Sequence, residues 1–193
     1  ECRFYLTLPP RWRLVADGIE EQMEAEILKN RGSEANVFEV KLDADLTLDR
    51  AYLQFLAGRS LPGARLDGMK MVLDCANGAA SQLAPALFRT LGANVTALHD
   101  QPNGRNINDG CGSTDPSALA RAVVDAGADA GLAFDGDADR IVMVDAQGRV
   151  VDGDEILAVL ALDLAARDAL PHRAIATTVM ANLGLRRALA AHD

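Results

Sequence analysis

The sequence predicts an α/β fold, a three-layer sandwich in which helices cover both faces of a mixed, mostly parallel sheet. From residue 69 onward, short apolar segments alternate with helical patterns, which is typical of parallel strands joined by helices. Glycine, proline and Asn-Gly signals separate these segments, as turns require. The composition, 49% hydrophobic and 24% charged over 193 residues, is that of a globular protein.

Apolar periodicity predicts the individual elements. Ile19, Met23 and Ile27 recur every four residues and predict a helix that begins at Asp17. The other predicted helices span 48–57, 81–91, 116–126, 152–168 (amphipathic) and the residues from 183 onward. The predicted strands span 69–73, 95–98, 130–134, 141–144 in a hairpin with 150–151, and 174–178.

Particular residues predict where helices begin and end. Gly58 is expected just past the end of the second helix, and Gly127 just past the end of the helix over 116–126. Pro116 is expected at the first position of that helix, where a missing N–H costs nothing. Asp115 or Thr114 is the expected N-cap.

The most informative segment is an acidic run that follows the apolar strand 130–134. Asp135, Asp137 and Asp139 stand at i, i+2 and i+4, and Arg140 closes the run. Alternate residues of an extended segment point the same way, so one loop can aim three carboxylates at a single point. Their charges repel and raise one another's pKa unless a cation neutralises them. We therefore expect a hard divalent cation, with Mg²⁺ as the first choice.

A turn without a metal and an EF-hand loop are two other interpretations of the acidic run. Asp and Gly are common in turns, where Asp binds its own backbone, so the run can be a turn alone. An EF-hand loop that begins at Asp135 would need Gly at its sixth position and Glu at its twelfth. Arg140 and Ala146 occupy those positions, which excludes the EF-hand.

Composition and charge exclude several classes of function. The net charge of −9 argues against nonspecific nucleic-acid binding but allows a phosphorylated substrate. No apolar run approaches the roughly 18 residues of a membrane span. The three cysteines lack C-x-x-C spacing, so we expect them to be small packed residues and not a disulfide framework. This cysteine usage favours a reducing cytoplasm. The cysteines are Cys2, Cys75 and Cys111, and the histidines, taken as surface residues, are His99, His172 and His192.

Two further segments lie where a site is expected, beyond the carboxyl ends of strands. Residues 74–80 join a strand to a helix; a structural corner is favoured there over a weak anion site. The Gly- and Asn-rich segment 103–114 is long for a connection between a strand and a helix. Both a functional loop and a plain surface loop are compatible with this length and composition.

Taken together, five motifs resemble the α-D-phosphohexomutases, and the bacterial phosphoglucosamine mutase branch in particular. They cover residues 69–189 in the family's order, and their joint occurrence is far more specific than any one of them. The family usually has His where this chain has Asp115. The motifs are D-G-D-A-D-R at 135–140, N-I-N-D-G-C-G-S-T at 106–114, D-C-A-N-G-A at 74–79, V-V-D-G-D at 150–154 and T-V-M-A-N-L-G-L at 178–185.

The resemblance implies a metal-dependent sugar-phosphate mutase. Asp135, Asp137 and Asp139 would bind Mg²⁺, and Arg140 would either contact the substrate phosphate or hold the acidic loop by an ion pair. A phosphoserine would transfer its phosphoryl group to a phosphorylated amino sugar and so interconvert glucosamine 6-phosphate and glucosamine 1-phosphate. Glucose or mannose phosphates remain alternative substrates, and a metal-binding module without turnover is the alternative function.

The resemblance also implies a division into domains. Residues 1–64 would be a remnant of the first domain with a linker, 65–157 the metal-loop domain, and 158–193 the start of the third. The family's phosphoserine loop, sugar loop and phosphate-binding domain find no match, so no catalytic residue is assigned and the chain alone is expected to lack turnover. The missing domains are the expected partners, and a homodimer is left open.

The two ends of the chain carry further expectations. The chain begins with Glu1 rather than Met, and residues 1–14 do not fit the family's first domain, so a truncated or frame-disturbed sequence is hypothesised. Without their partner domains, helix 17–30 and the last strand–helix unit are expected to expose apolar side chains.

Overall fold

The computed structural model describes residues 17–29, 47–59 and 65–192. The chain divides into two compact units, Glu1–Ala44 and Asp45–Asp193. In the first unit, the described residues form helix α1 (Asp17–Lys29), which confirms the predicted helix. Its apolar side chains are exposed as expected: Ile19, Met23, Ile27 and Leu28. Residues 1–14 and residues 60–64, part of the linker that the sequence predicts between Gly58 and Gly68, lie outside the described residues.

The second unit contains a five-stranded mixed sheet with strand order β2-β1-β3-β4-β5. Strand β1 pairs in parallel with β2 and β3, whereas β3–β4 and β4–β5 are antiparallel. The mixed sheet is thus confirmed, with its parallel part confined to three strands. The elements are α2 (Thr47–Arg59), β1 (Lys70–Asp74), α3 (Ala80–Thr90), β2 (Asn94–Leu98), α4 (Ser117–Ala126), β3 (Ala130–Phe134), β4 (Ile141–Asp145), β5 (Val150–Val151), α5 (Gly153–Ala166) and α6 (Leu183–Ala190).

The central strands bury both faces, which produces the predicted three layers. Met71 and Leu73 of β1 pack in a core with Ala84 of α3, whereas Val72 packs on the other side with Leu119 of α4. This alternation follows from the two-residue period of a strand. A Cβ atom added to Gly131 of β3 would lie 2.8 Å from Leu119 Cδ1, so glycine allows α4 to approach the sheet closely.

Two predicted helix ends are wrong by a short distance, and neither expected N-cap of α4, Asp115 or Thr114, occupies that position. Gly58 lies inside α2, and Pro116 is the N-cap of α4 rather than its first residue. Pro116 has φ −77° and ψ 7°, so helical geometry begins only at Ser117. The Asp115 carboxylate accepts hydrogen bonds from Ser117 N at 3.2 Å and Ser117 Oγ at 2.6 Å, so this residue still supports the helix start. Gly127 ends α4 in the left-handed conformation, as predicted.

The carboxyl-terminal part differs more from expectation. The predicted strand 174–178 is not formed, because no described strand lies beside it to complete a hydrogen-bond ladder. Helix α5 ends at Ala166 and is apolar around its circumference rather than amphipathic. Exposed apolar side chains confirm the expectation for the last unit: Val179, Met180 and Leu183. Val159 and Leu160 of α5 are exposed as well. Within the described residues, every helix is too short or too polar to cross a membrane.

Candidate metal centre

The acidic loop follows directly from the end of strand β3. Because β1 and β3 run in parallel, with Asp74 opposite Ala133, the loops that leave both strands lie at one edge of the sheet. Ala138 has φ +62°, and its N–H donates to the Asp135 carbonyl at 3.1 Å. The loop is therefore a tight turn, and this turn is what folds the acidic run back on itself.

The three carboxylates of the loop converge as the sequence predicts. Ligand oxygens of Asp135, Asp137 and Asp139 lie within 4.8 Å of one another. Asp135 is 1% exposed, whereas Asp137 and Asp139 are exposed to solvent. Octahedral Mg²⁺ holds neighbouring oxygens about 3 Å apart, so small side-chain rotations would bring this set around one ion. The donors are all hard oxygens, which fits Mg²⁺ in chemistry as well as in spacing.

Arg140 holds the buried carboxylate of this loop. Its backbone N–H donates to Asp135 Oδ1 at 3.1 Å, and its Nε donates to Asp135 Oδ2 at 2.7 Å. Arg140 Nε also lies 3.4 Å from Asp139 Oδ1. Each Asp135 oxygen keeps a further lone pair, because a carboxylate offers about four acceptor sites. An ion pair that organises the loop is thus present, and a cation can still bind the same carboxylate.

The two ends of the acidic run differ in electrostatics. Burial acts to raise the pKa of Asp135, but the backbone N–H and guanidinium of Arg140 outweigh it, and the pKa is lowered. The charge of Asp137 raises the pKa of Asp139, and burial adds to this effect. The expected mutual repulsion therefore raises the pKa of Asp139, whereas Arg140 reverses the effect at Asp135.

Backbone contacts fix the acidic loop against two neighbouring loops. The Ala79 N–H donates to the Gly136 carbonyl at 2.8 Å, which joins the loop after β1 to the loop after β3. A Cβ atom added to Gly78 would overlap the Gly136 carbonyl and lie 2.7 Å from Gly136 Cα. A Cβ atom added to Gly112, which has φ +72°, would lie 2.5 Å from the Phe134 carbonyl oxygen. Glycine at these positions is what lets the three loops stack.

The long segment 103–114 is part of this assembly rather than a separate surface loop. A Cβ atom added to Gly136 would lie 2.6 Å from Ile107 Cδ1, so Ile107 packs on the acidic loop. The Asn108 N–H donates to the Ala76 carbonyl at 3.0 Å. The corner at 74–80 is structural, as favoured, since Asn77 Nδ2 donates to the Asn106 carbonyl at 3.3 Å.

A second group of side chains behind this loop was not predicted as a unit. Ligand atoms of Asp74, His99 and Cys111 lie within 4.8 Å of one another. His99 is not a simple surface residue, since its Nδ1 lies 3.0 Å from Asp74 Oδ1 and its side chain is 33% exposed. The residues come from three separate loops, so only the strand-end position of Asp74 was a signal in the sequence.

The two described cysteines are packed thiols, as predicted. Cys75 and Cys111 are free and fully buried. Burial, followed by the charges of Asp100 and Asp74, raises the pKa of Cys75 to about 12. Burial and then the charge of Asp74 also raise the pKa of Cys111. Neither thiol is an activated nucleophile in this environment.

Fold and loop together define an α/β/α domain that carries a carboxylate cluster at the carboxyl edge of its sheet. Two family models match the chain: "Phosphoglucomutase/phosphomannomutase, alpha/beta/alpha domain II" over residues 50–148, which include this cluster, and "alpha/beta/alpha domain III" of the same family over residues 152–193. The chain belongs to the phosphoglucomutase/phosphomannomutase family, which confirms the resemblance.

Individual relatives agree with this assignment. The chain is 49% identical over 176 residues to the phosphoglucosamine mutase of Leifsonia xyli, covering 91% of the chain and 38% of that enzyme. It is 47% identical over 178 residues to the phosphoglucosamine mutase of Anaeromyxobacter dehalogenans, covering 92% of the chain and 39% of that enzyme. The chain thus spans about two fifths of the length of these curated relatives.

Solved structures of the family share the fold. A phosphoglucomutase/phosphomannomutase family protein from Burkholderia thailandensis aligns with a TM-score of 0.56 and 25% identity, covering 80% of this chain and 33% of that one. The N-acetylphosphoglucosamine mutase of Aspergillus fumigatus, in complex with GlcNAc-6P and magnesium, aligns with a TM-score of 0.52 and 25% identity. That alignment covers 79% of this chain and 33% of the fungal one.

Proposed function

We propose that this chain is the metal-bearing part of a phosphoglucosamine mutase, which interconverts glucosamine 6-phosphate and glucosamine 1-phosphate. The observation that carries the proposal is the 49% identity to the Leifsonia xyli enzyme across 91% of the chain. The convergence of Asp135, Asp137 and Asp139 at the sheet edge supports it independently of that identity. A cytoplasmic location is part of the proposal, since both described cysteines are free.

Each residue of the acidic loop has a role in this proposal. Asp135, Asp137 and Asp139 would hold one Mg²⁺, which would neutralise charge on a transferred phosphoryl group. Arg140 fixes Asp135 through its Nε and backbone N–H, and its guanidinium is a fixed cation beside the same site. The nucleophilic serine would lie in a part of the enzyme that residues 1–193 do not include. The division of the chain into 1–64, 65–157 and 158–193 stays a prediction.

Metal binding by the acidic loop is tested by calorimetric titration of the chain with Mg²⁺. The parent chain should bind one equivalent weakly, and Asp137→Asn should abolish the measurable heat, because one of three carboxylate charges is lost. The matched control is Asp125→Asn, an exposed carboxylate on α4 outside the loop. Equal Mg²⁺ affinity of the parent and Asp137→Asn would show that the acidic run is a turn and not a metal site.

The mutase activity is tested by transplanting the chain. Residues 65–192 would replace the equivalent segment of the Leifsonia xyli enzyme, and the chimera would be assayed with glucosamine, glucose and mannose phosphates. We expect turnover with glucosamine phosphates, lost on Asp137→Asn. A folded chimera without turnover would contradict the assignment; the sugar preference itself reports the sugar loop, which the host enzyme supplies.

A metal-binding module without turnover is the second candidate function. It is favoured for the chain by itself, because transfer needs a nucleophile and a sugar site arranged around the same cleft. We expect no mutase activity from the 193-residue chain in the presence of Mg²⁺ and a bisphosphorylated sugar primer. Turnover above background, or a stably phosphorylated serine found by mass spectrometry, would show that the chain contains its own nucleophile.

A further inference from the structure

A mixed cluster of nitrogen, sulfur and oxygen donors lies behind the acidic loop. Asp74 ends strand β1, His99 follows strand β2, and Cys111 precedes the short turn Gly112–Thr114. One donor atom from each lies within 4.8 Å of the others. The cluster shares no residue with the carboxylates of the acidic loop. Its donor chemistry also differs, since a thiol and an imidazole are poor ligands for Mg²⁺ and good ones for Zn²⁺.

The atoms of this cluster are buried and only partly satisfied. Asp74 and Cys111 are 0% exposed. The Nδ1 atom of His99 is also buried and has no hydrogen-bond partner among the described residues, although Asp74 Oδ1 lies 3.0 Å away. The two atoms are close but lack hydrogen-bond geometry, so Asp74 does not satisfy this nitrogen. Buried polar atoms normally find a partner, so this nitrogen indicates a ligand.

Hydrogen bonds to both oxygens fix the Asp74 carboxylate, as is usual for carboxylates that bind metals. Its Oδ1 accepts a hydrogen bond from the Ala76 N–H at 3.0 Å, and its Oδ2 accepts one from the Gly112 N–H at 3.0 Å. These two bonds use half of the roughly four lone pairs of the carboxylate and fix its orientation. The remaining lone pairs are available on the side where His99 Nδ1 lies.

We infer that Asp74, His99 and Cys111 form a second cation site, selective for Zn²⁺ over Mg²⁺, with water as the fourth ligand. Tetrahedral Zn²⁺ holds its donors about 3.4 Å apart, so the three donor atoms close by at most about 1.5 Å. Binding replaces the Cys111 thiol proton, which leaves to solvent. The thiolate, the Asp74 carboxylate and Zn²⁺ then sum to zero charge, as a buried site requires.

The site has access to solvent and a defined structural consequence. One third of the His99 side chain is exposed, so an ion can reach the cluster past this residue. The ion would join the loops after β1 and β2 to the segment that contains Cys111. Because Gly112 contacts the Phe134 carbonyl, the same segment supports the base of the acidic loop.

Co²⁺ tests the site, because it substitutes for Zn²⁺ and reports sulfur ligation by a near-ultraviolet charge-transfer band. The 193-residue chain should show this band on addition of one equivalent, and Zn²⁺ should displace it. The band should vanish in Cys111→Ser and persist in Cys2→Ser, Cys75→Ser and the loop variant Asp137→Asn. His99→Gln should weaken Co²⁺ affinity at least about tenfold, whereas His192→Gln should not change it.

Three results would overturn the inference. One is the lack of a sulfur band at saturating Co²⁺, which would leave the approach of His99 Nδ1 to Asp74 Oδ1 as a side-chain contact only. The others are a band that survives Cys111→Ser and an affinity unchanged by His99→Gln. Should Cys111→Ser fail to fold, X-ray absorption of the Zn²⁺-loaded parent chain decides instead, with one Zn–S distance of about 2.3 Å expected. A shell of oxygen and nitrogen alone would refute the site.

Discussion

Replacing Gly78 with alanine should displace the acidic loop without touching any carboxylate. A Cβ atom at Gly78 would lie 2.7 Å from Gly136 Cα and would overlap the Gly136 carbonyl. Carbon atoms pack at about 3.5 Å or more, so the two loops must separate by about 0.8 Å. Both obstacles are backbone atoms, so no side-chain rotation can relieve the overlap.

The magnitude follows from what that separation breaks. The hydrogen bond from Ala79 N to the Gly136 carbonyl, now 2.8 Å long, is lost or lengthened. Its loss costs about 1 kcal/mol, and overpacking of a tight contact costs about 1–3 kcal/mol. We expect Gly78→Ala to lower the free energy of unfolding by about 2–4 kcal/mol. Mg²⁺ affinity should fall about tenfold or more, because positioning groups around metal ligands have effects of this size.

Urea unfolding followed by circular dichroism measures the first quantity, and calorimetric titration with Mg²⁺ measures the second. The control is Gly153→Ala, because a Cβ atom there meets nothing within 4 Å. That variant should be neutral or slightly stabilising, since alanine favours a helix over glycine. If Gly78→Ala unfolded at the same urea concentration as Gly153→Ala and bound Mg²⁺ like the parent, the stacking of the loops would not support the acidic run.

Two further predictions concern stability. Leu119→Ala should lower the free energy of unfolding by about 3 kcal/mol, because Leu119 is 0% exposed between α4 and the sheet; Val159→Ala, 64% exposed, should change it by less than about 0.5 kcal/mol. Equal urea midpoints for these variants would contradict the assigned core. The second concerns acid: the backbone N–H of Arg149 lowers the pKa of Asp145, and the Arg149 guanidinium lowers that of Glu155. Folded pKa values below the unfolded values of about 4 mean that this stability is present above about pH 4 and is lost as pH falls further. Arg149→Gln keeps the backbone N–H at Asp145 but removes the guanidinium from Glu155, so it should lose less of its urea midpoint than the parent between about pH 5 and pH 3; an identical loss would refute the role assigned to the guanidinium.

The sequence was most informative where a segment is buried by its own neighbours. Residues 130–134 form the strand β3 with the predicted bounds, because an apolar run of this length is too short for a helix and fits a buried strand. Residues 174–178 have a comparable strand-like composition but no described neighbour, and they form no strand. Strand patterns therefore predict a strand only where a partner completes the ladder.

The candidate site was likewise predictable only where its residues lie close together in the sequence. The local i, i+2, i+4 spacing was enough to predict that Asp135, Asp137 and Asp139 converge. The convergence of Asp74, His99 and Cys111 depends on the strand order β2-β1-β3, which no local pattern contains. Likewise, Pro116 was misplaced by one position, because its ψ angle is set by the turn before α4 rather than by its own ring.

The two clusters at the sheet edge differ in how their buried carboxylate is balanced, and this difference separates their chemistry. Asp135 is balanced within its own loop by the backbone and side chain of Arg140, which leaves the exposed Asp137 and Asp139 free to exchange water for a hard cation. Asp74 is balanced by two backbone N–H groups from different loops, and the donors beside it are a thiol and an imidazole. A shallow, oxygen-only cluster suits an ion that keeps part of its hydration and meets a phosphate, whereas a buried mixed cluster suits an ion that stays in place. Under the two proposals, the carboxyl edge of this sheet would thus offer one position for an exchangeable hard cation and one for a structural ion.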